Sequence, residues 1–347
     1  MSLWSKVSRR AGDAMHKARF RRSLRHLHGP TGVSVAEGGI VAVILVRNGM
    51  FYLDEFLAHY RGLGVDQFVF CDNGSTDGTV ERLTSEPDTV ILQSLMTWGE
   101  IENDFRRYAA ETFARDRWCL IVDMDEMFEF DGADMLGLRG LTGYMDAEGH
   151  TALVAQMLEM YPDRPIRETA RMPFDEVLNQ FHHYDLSDID AHDYHDPNLS
   201  FAWYLERNRL SSEAVQILFG GARSRVFGEH CCLTKHPLVK VKGDLEPAVH
   251  PHCAVHSRVA DFTALIRHYK FANDPVARDA DTAARAAIPH GEDRARLRRF
   301  DHTPDLTLYA PVSRRFEGLA PLQEAGFLVT SPRFEAYRAA LATAGRT

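Results

Sequence analysis

The sequence predicts an α/β fold: a mostly parallel mixed sheet flanked by helices. Three observations predict it. Apolar runs recur at residues 40–46, 67–71, 89–92 and 118–122. Segments with helical spacing of apolar residues separate them, and strand–helix alternation of this kind gives a parallel sheet. Three of the runs end in polar clusters, Arg47-Asn48, Asp72-Asn73 and Asp123-Met124-Asp125. In open α/β sheets ligands bind beyond the carboxyl ends of the strands, so these clusters are expected on a common rim.

Each element has its own signal. Residues 40–46, Ile-Val-Ala-Val-Ile-Leu-Val, are apolar throughout, as a strand buried on both faces requires. Arg47-Asn48-Gly49 is the turn. Phe51, Leu53, Phe56, Leu57, Tyr60 and Leu63 then recur at helical spacing, and Gly64 stops the helix. Residues 67–71 are the next strand, followed by the turn-rich Asp72-Asn-Gly-Ser-Thr-Asp-Gly78 and a helix beginning over 79–84. Residues 89–92 form a third strand, 102–115 a helix and 118–122 a fourth strand.

The stretch from Trp118 to Phe130 concentrates the acids. Asp123, Asp125 and Glu126 follow the apolar run within four positions. In extended chain, residues two apart share a face, so Asp123 and Asp125 point the same way. Two adjacent carboxylates need a cation or a donor to offset their repulsion. A divalent ion that also holds a diphosphate fits, because Mg²⁺ is commonly bound by one or two carboxylates and phosphate oxygens. A strand ending in solvated acids is the plain alternative. Met127 and Phe128 stand where an EF-hand would need an acid and its turn glycine, so that loop is excluded.

Composition bounds the rest. The chain has 347 residues, 45% of them hydrophobic, which supports a substantial core. No apolar run approaches the roughly 18 residues of a membrane span. The basic, interrupted start does not read as a secretory signal, and the five cysteines form no CxxC or even framework, so a cytoplasmic location is expected. The net charge of −9 is uneven: residues 1–28 carry eight Lys or Arg and one Asp, or +7, leaving −16 elsewhere (−9 less +7). The acidic remainder argues against general nucleic-acid affinity. The basic stretch, with Leu3, Trp4, Val7, Phe20, Leu24 and Leu27 interspersed, reads either as a helix for an anionic membrane interface or as a frayed terminus. Gly29-Pro30-Thr31-Gly32 follows as a linker.

The second half is less regular. Residues 152–155 are expected as a strand, and 233–241 as an antiparallel one. The His- and Asp-rich tract 182–196 is read as a solvated insertion loop, with metal binding as its alternative. Residues 261–271 read as helix or strand, and 276–300 as helix with a solvated charged face. No G-x-G-x-x-G or Walker A pattern occurs.

Several of these pieces together resemble the bacterial GT-A glycosyltransferases of the family-2-like type, close to the family-92 enzymes. They are Val46-Arg-Asn48, Leu57-Ala-His-Tyr-Arg-Gly-Leu-Gly-Val65, Asp72-Asn-Gly-Ser-Thr-Asp-Gly78 and Asp123-Met-Asp125-Glu126. Gly220-Gly-Ala-Arg, Lys235-His-Pro237-Leu-Val, His268-Tyr-Lys-Phe271 and Leu306-Thr-Leu-Tyr309 resemble later landmarks of the same family. The resemblance implies a nucleoside-diphosphate-sugar donor, a glycan or lipid-linked acceptor, inverting transfer and a Mn²⁺ or Mg²⁺ cofactor. It implies Arg47, Asn48, Asp72 and Asn73 beside the nucleotide, and Asp123 near the ribose. It places Asp125 on the metal with Asp123 and His268 as further candidates, and Lys270 on a phosphate. His268 also reads as a packed core histidine. It implies a basic segment and linker over 1–32, a donor half over 33–150 and an acceptor-side half with a C-terminal extension over 151–347.

Inversion needs a general base for the acceptor hydroxyl. Asp125, Glu126 and Glu159 are taken as the catalytic carboxylates, with Glu129, Asp175 and Glu176 as further acids that spacing does not separate. Two other readings stay open. A nucleotidyltransferase also puts carboxylates and metal on a nucleotide, and a non-catalytic nucleotide- or glycan-binding module would keep the same motifs.

Overall fold

The computed structural model describes the backbone of residues 3–285 and 291–344, with the side chains of 12–285 and 291–343. Its centre is a ten-stranded sheet. The strand order is Arg25–His28, Thr89–Gln93, Gln67–Asp72, Ile40–Val46, Trp118–Asp123, Thr234–Lys240, Ala152–Glu159, Arg258–His268 and Arg209–Leu210. Glu126–Glu129 pairs antiparallel with the end of Arg258–His268. Only Arg25–His28, Glu126–Glu129 and Thr234–Lys240 run against the others.

The apolar runs form central strands because both of their faces are covered. In Ile40–Val46, Ile40, Ala42, Ile44 and Val46 enter one apolar cluster and Val41, Val43 and Leu45 the other. Gln67–Asp72 divides the same way, with Phe68 and Phe70 on one side and Val69 and Cys71 on the other. The helix Leu53–Leu63 supplies Leu53, Phe56, Leu57, Tyr60 and Leu63 to the first cluster. The helix Trp98–Phe113 supplies Ile101, Phe105, Ala109, Ala110 and Phe113 to the second. Gly64 ends Leu53–Leu63 at φ 94°, where a β-carbon is disfavoured, and its amide reaches the Arg61 and Tyr60 carbonyls.

Register carries the polar clusters to one rim. Val46 pairs with Asp72, and Leu45 with Asp123. Across the sheet, His268 is the partner of Glu159 on one side and Glu126 on the other. Thr234–Lys240 joins the Trp118–Asp123 strand to Ala152–Glu159, so one sheet runs through both halves of the chain.

Several local expectations are corrected. Arg25–His28, at the end of the basic stretch read as a helix or a frayed terminus, is an edge strand against Thr89–Gln93. The tract 182–196 is not merely a loop: Ile189–Asp193 pairs with Gln216–Gly220. The pairing works because Ile217 is buried opposite His192 and seals an apolar cluster with Phe201 and Leu205. Residues 261–271 resolve to strand Arg258–His268. The helix expected over 276–300 is two helices, Pro275–Ala284 and Glu292–His302; residues 286–290 lie outside the described residues. Among the described residues, no helix is long and apolar enough to cross a membrane.

Candidate active site

A cleft of about 620 Å³ opens at the carboxyl ends of the parallel strands. Arg47, Asn48, Asn73, Asp123, Asp125 and Lys270 all line it. Residues from four separate strand ends therefore meet at one site, as strand polarity requires.

Asp123 and Asp125 are held ionised in different ways. Burial opposes the Asp123 charge, but Lys235 and Arg106 outweigh it and keep its carboxyl well below the usual range. Arg106 Nη2 is 3.1 Å and Lys235 Nζ 3.3 Å from Asp123. Burial likewise opposes the Asp125 charge, and His268, Lys270 and Arg278 outweigh it. Asp125 Oδ2 lies 3.6 Å from His268 Nε2 and 3.9 Å from Arg278 Nη1. The Asp125 carbonyl accepts from the Tyr269 amide at 2.8 Å, which ties this turn to the end of the Arg258–His268 strand.

His268 is gripped from its other side. Its Nδ1 lies 3.2 Å from Glu159 Oε2, and Glu159 Oε1 accepts from the Lys270 amide at 3.2 Å. Burial lowers the His268 pKa, but Glu159 and Asp125 together push it up to about 9. Glu159 does not line the cleft, and it faces the imidazole instead. Glu126 does not line it either: it is 1% exposed, pairs with Lys235, and accepts the Asp123 amide at 3.1 Å. The Tyr60 hydroxyl donates to the Glu126 carbonyl at 2.7 Å and accepts from the Phe128 amide at 3.1 Å, which fixes that strand to the helix Leu53–Leu63. Neither glutamate stands where a cleft-facing base must stand.

Asp72 also departs from the expected placement beside a nucleotide. It is fully buried, and its carboxylate accepts from the Gly74 and Ser75 amides and from Gln93 Nε2. It folds the turn rather than facing the cleft. Asn73 lines the cleft, but its amide group is spent on the Ser94 and Met96 carbonyls. Arg47 Nη1 donates to the Asn73 and Gly74 carbonyls at 2.7 and 3.1 Å, while its buried Nε has no partner among the described residues.

The loop after the first central strand is closed on itself. Asn48, at φ 55°, donates its amide to Ser75 Oγ and accepts the Thr76 amide on Oδ1. The Gly49 amide goes to Thr79 Oγ1 and the Met50 amide to Asp77 Oδ2. A β-carbon on Gly49 would stand 2.6 Å from Val46 Cγ2, so this loop needs glycine for space.

Arg106, Lys235, Arg278 and Tyr52 were not marked as site residues by sequence. Arg278 Nη1 donates to the Tyr52 hydroxyl at 3.1 Å, another of its nitrogens donates to the Lys270 carbonyl, and its buried Nε has no partner among the described residues. Burial lowers the Lys270 pKa, and nearby Arg223, Arg296 and Arg278 add to that against Asp125. The only usable sequence signals were Lys235 in the Lys-His-Pro segment and the cations of the helix after Asp274.

The donor set at Asp125 fits a divalent cation. A carboxylate oxygen and an imidazole Nε2 3.6 Å apart can converge on one ion with a small adjustment, the ion displacing the Nε2 proton. A carboxylate on the far imidazole nitrogen is the usual support of a metal-bound histidine, and Glu159 occupies that position. Asp123 is instead committed to its two cations. A second cluster, Glu229, Cys231 and Glu292, has the proximity of a metal site. It does not fit one, because Arg223 and Arg296 already neutralise Glu229 at 2.8 Å each.

The sequence matches no protein-family model and no curated protein. Among solved structures, one of UDP-glucose pyrophosphorylase complexed with UDP-glucose aligns over 45% of this chain and 67% of its own, at 6% identity and a TM-score of 0.22. That likeness is too slight to carry an argument about function.

Proposed function

We propose that this chain is a metal-dependent glycosyltransferase that takes a sugar from a nucleoside diphosphate and gives it to a hydroxyl of a glycan or lipid-linked acceptor. The observation that carries the reading is the Asp125–His268–Glu159 alignment, in which Asp125 lines the cleft with Lys270 and Arg278 while His268 and Glu159 stand behind it. Residues 33–150 would supply the donor side and residues 151–347 the acceptor side and the C-terminal helices.

In this reading Asp125 and His268 would hold Mn²⁺ or Mg²⁺, which would supply Lewis-acid stabilisation to the departing diphosphate. Lys270 and Arg278 add positive charge where the bond between the anomeric carbon and the phosphate oxygen breaks. Arg47 and Arg278 line the cleft, and their guanidinium groups suit an anionic ligand. Asp123, fixed by Arg106 and Lys235, would accept a hydrogen bond from a ribose hydroxyl. Glu159 orients His268, and Glu126 orients the Asp123 turn. The acceptor oxygen would bond to the anomeric carbon as the bond from that carbon to the phosphate oxygen breaks, its proton passing to water in the cleft and the nucleoside diphosphate leaving.

One observation favours this reading over nucleotidyl transfer. Successive amides of residues 48–50 are spent on Ser75, Thr79 and Asp77, so the loop offers no backbone cradle for a triphosphate. The test is product identity. With Mn²⁺ and a panel of sugar nucleotides, the enzyme is expected to release a nucleoside diphosphate, with the Asp125→Asn variant inactive. Formation of nucleoside triphosphate and sugar phosphate when pyrophosphate is supplied would overturn the reading in favour of nucleotidyl transfer.

A further inference from the structure

The helix Leu3–Ser23 is an outlying element of 21 residues, about 31 Å long at the usual rise. Its hold on the body is narrow. From residue 12 to the end of the helix, only Phe20 is fully buried, packed edge-on against Phe105 and Tyr108 at centroid distances of 5.6 and 6.3 Å. His16 pairs with Asp104 at 3.1 Å, and Ser23 meets Ser94 at 2.7 Å. The chain then enters the edge strand Arg25–His28, so the helix is fixed to the sheet at its carboxyl end.

The face turned away from Phe20 is amphipathic. Met15 is 72% exposed, and Ala18 is exposed beside it. Met15 lies about 140° round a helix from Phe20, and Ala18 about 160° round from it. Trp4, Val7 and Ala11 precede them in the sequence at three- and four-residue steps, the spacing of one helical stripe. Lys17, Arg19, Arg21 and Arg22 are exposed along the same helix. At Met15 and Ala18 this face is turned outward, within a cationic segment, residues 1–28, of +7 on a chain whose remainder is −16.

We propose that the outward face of Leu3–Ser23 docks on an anionic lipid bilayer. Charge complementarity selects the partner: a helix that exposes Met15 and Ala18 among Lys17, Arg19, Arg21 and Arg22 suits the interface plane of acidic lipids. An apolar stripe adds nothing to binding a soluble polyanion, whereas a bilayer uses both halves of the pattern. The helix rests on Trp98–Phe113, which also lends Trp98, Glu102 and Arg106 to the cleft, so docking holds the cleft close to the membrane surface. This proposal does not depend on the reaction assigned above, because vesicle binding is read without nucleotide.

The test is co-sedimentation of the full chain with vesicles of phosphatidylcholine alone and of phosphatidylcholine with phosphatidylglycerol. Binding is expected only to the second, weakening as salt rises. Removing a cation at an anionic surface is worth about fivefold, so R21E/R22E should cost at least about twentyfold. M15E keeps every cation and should also weaken binding; because Met15 is exposed, folding is not at risk. Absence of binding to either vesicle, equal binding to both, or binding unchanged in R21E/R22E overturns the proposal. Binding to a single-stranded oligonucleotide or an acidic polypeptide without vesicle binding overturns it in favour of that polyanion.

Discussion

Glu159 reaches Asp125 through a single imidazole. Its Oε2 stands 3.2 Å from His268 Nδ1, while Asp125 Oδ2 stands 3.6 Å from His268 Nε2. The first carboxylate fixes the ring, and the second faces the cleft. The two acids therefore differ in what their loss should do.

Asp125→Asn keeps the shape of the side chain and removes the charge that a cation needs. A metal's stabilisation of a leaving diphosphate is worth several kcal/mol, so turnover should fall on the order of 10³-fold. Steady-state kinetics with saturating Mn²⁺ checks this. Unchanged turnover would remove Asp125 from the metal.

Glu159→Gln should act one step back. Carboxylates behind a metal-bound histidine typically change metal affinity by roughly 10- to 100-fold. The expected outcome is a rise of that size in the Mn²⁺ concentration for half-maximal activity, with turnover recovered at high Mn²⁺. A general base would behave oppositely, losing turnover at every metal concentration.

Lys235→Met tests the support of Asp123 and Glu126. It leaves two carboxylates without their shared cation, and breaking a buried pair from one side costs about 3–5 kcal/mol. Denaturant unfolding should show a loss of that order. Glu126→Gln should likewise lose stability. If Glu126→Gln loses turnover while unfolding as wild type does, Glu126 is catalytic after all.

Acid should weaken the fold through its buried histidines. His236 is buried, with Nδ1 2.8 Å from the His252 carbonyl and Nε2 2.7 Å from the Tyr194 hydroxyl. Nδ1 therefore donates and Nε2 accepts, which fixes a neutral ring. Burial lowers its pKa from 6.5 to about 4, against the carbonyl contact. The folded form binds fewer protons than the unfolded one between these values. Stability is thus fully present above 6.5 and lost as pH falls toward about 4. His236→Gln should flatten the fall in unfolding free energy across that window.

The fold was legible where burial is two-sided. Ile40–Val46 and Trp118–Asp123 have no polar position to satisfy until the rim, so continuous apolar runs announced them. The end of each run also announced the rim. Function within the rim was harder to read, because an acid in a turn has the same sequence signature whether it faces a ligand or caps amides. Asp72 does the second. Glu126 and Glu159 were visible as acids after strands, but their partners Lys235 and His268 lie 109 positions away in each case, beyond the reach of local spacing. Arg278 sits in a charged helix that reads as a solvated face, yet it turns toward Asp125. The tract 182–196 gave no strand signal because its apolar partner, Ile217, lies on another segment.

The central claim is that Asp125 and His268 form a metal-dependent donor site. Thermal unfolding with UDP, GDP, CDP and ADP, each with and without Mn²⁺, tests it most directly. A ligand at about 100 times its dissociation constant stabilises by roughly 2.7 kcal/mol. The account predicts that one diphosphate raises the midpoint only with Mn²⁺, and that Asp125→Asn abolishes the shift. An equal shift without metal, or no shift with any of the four, would contradict it.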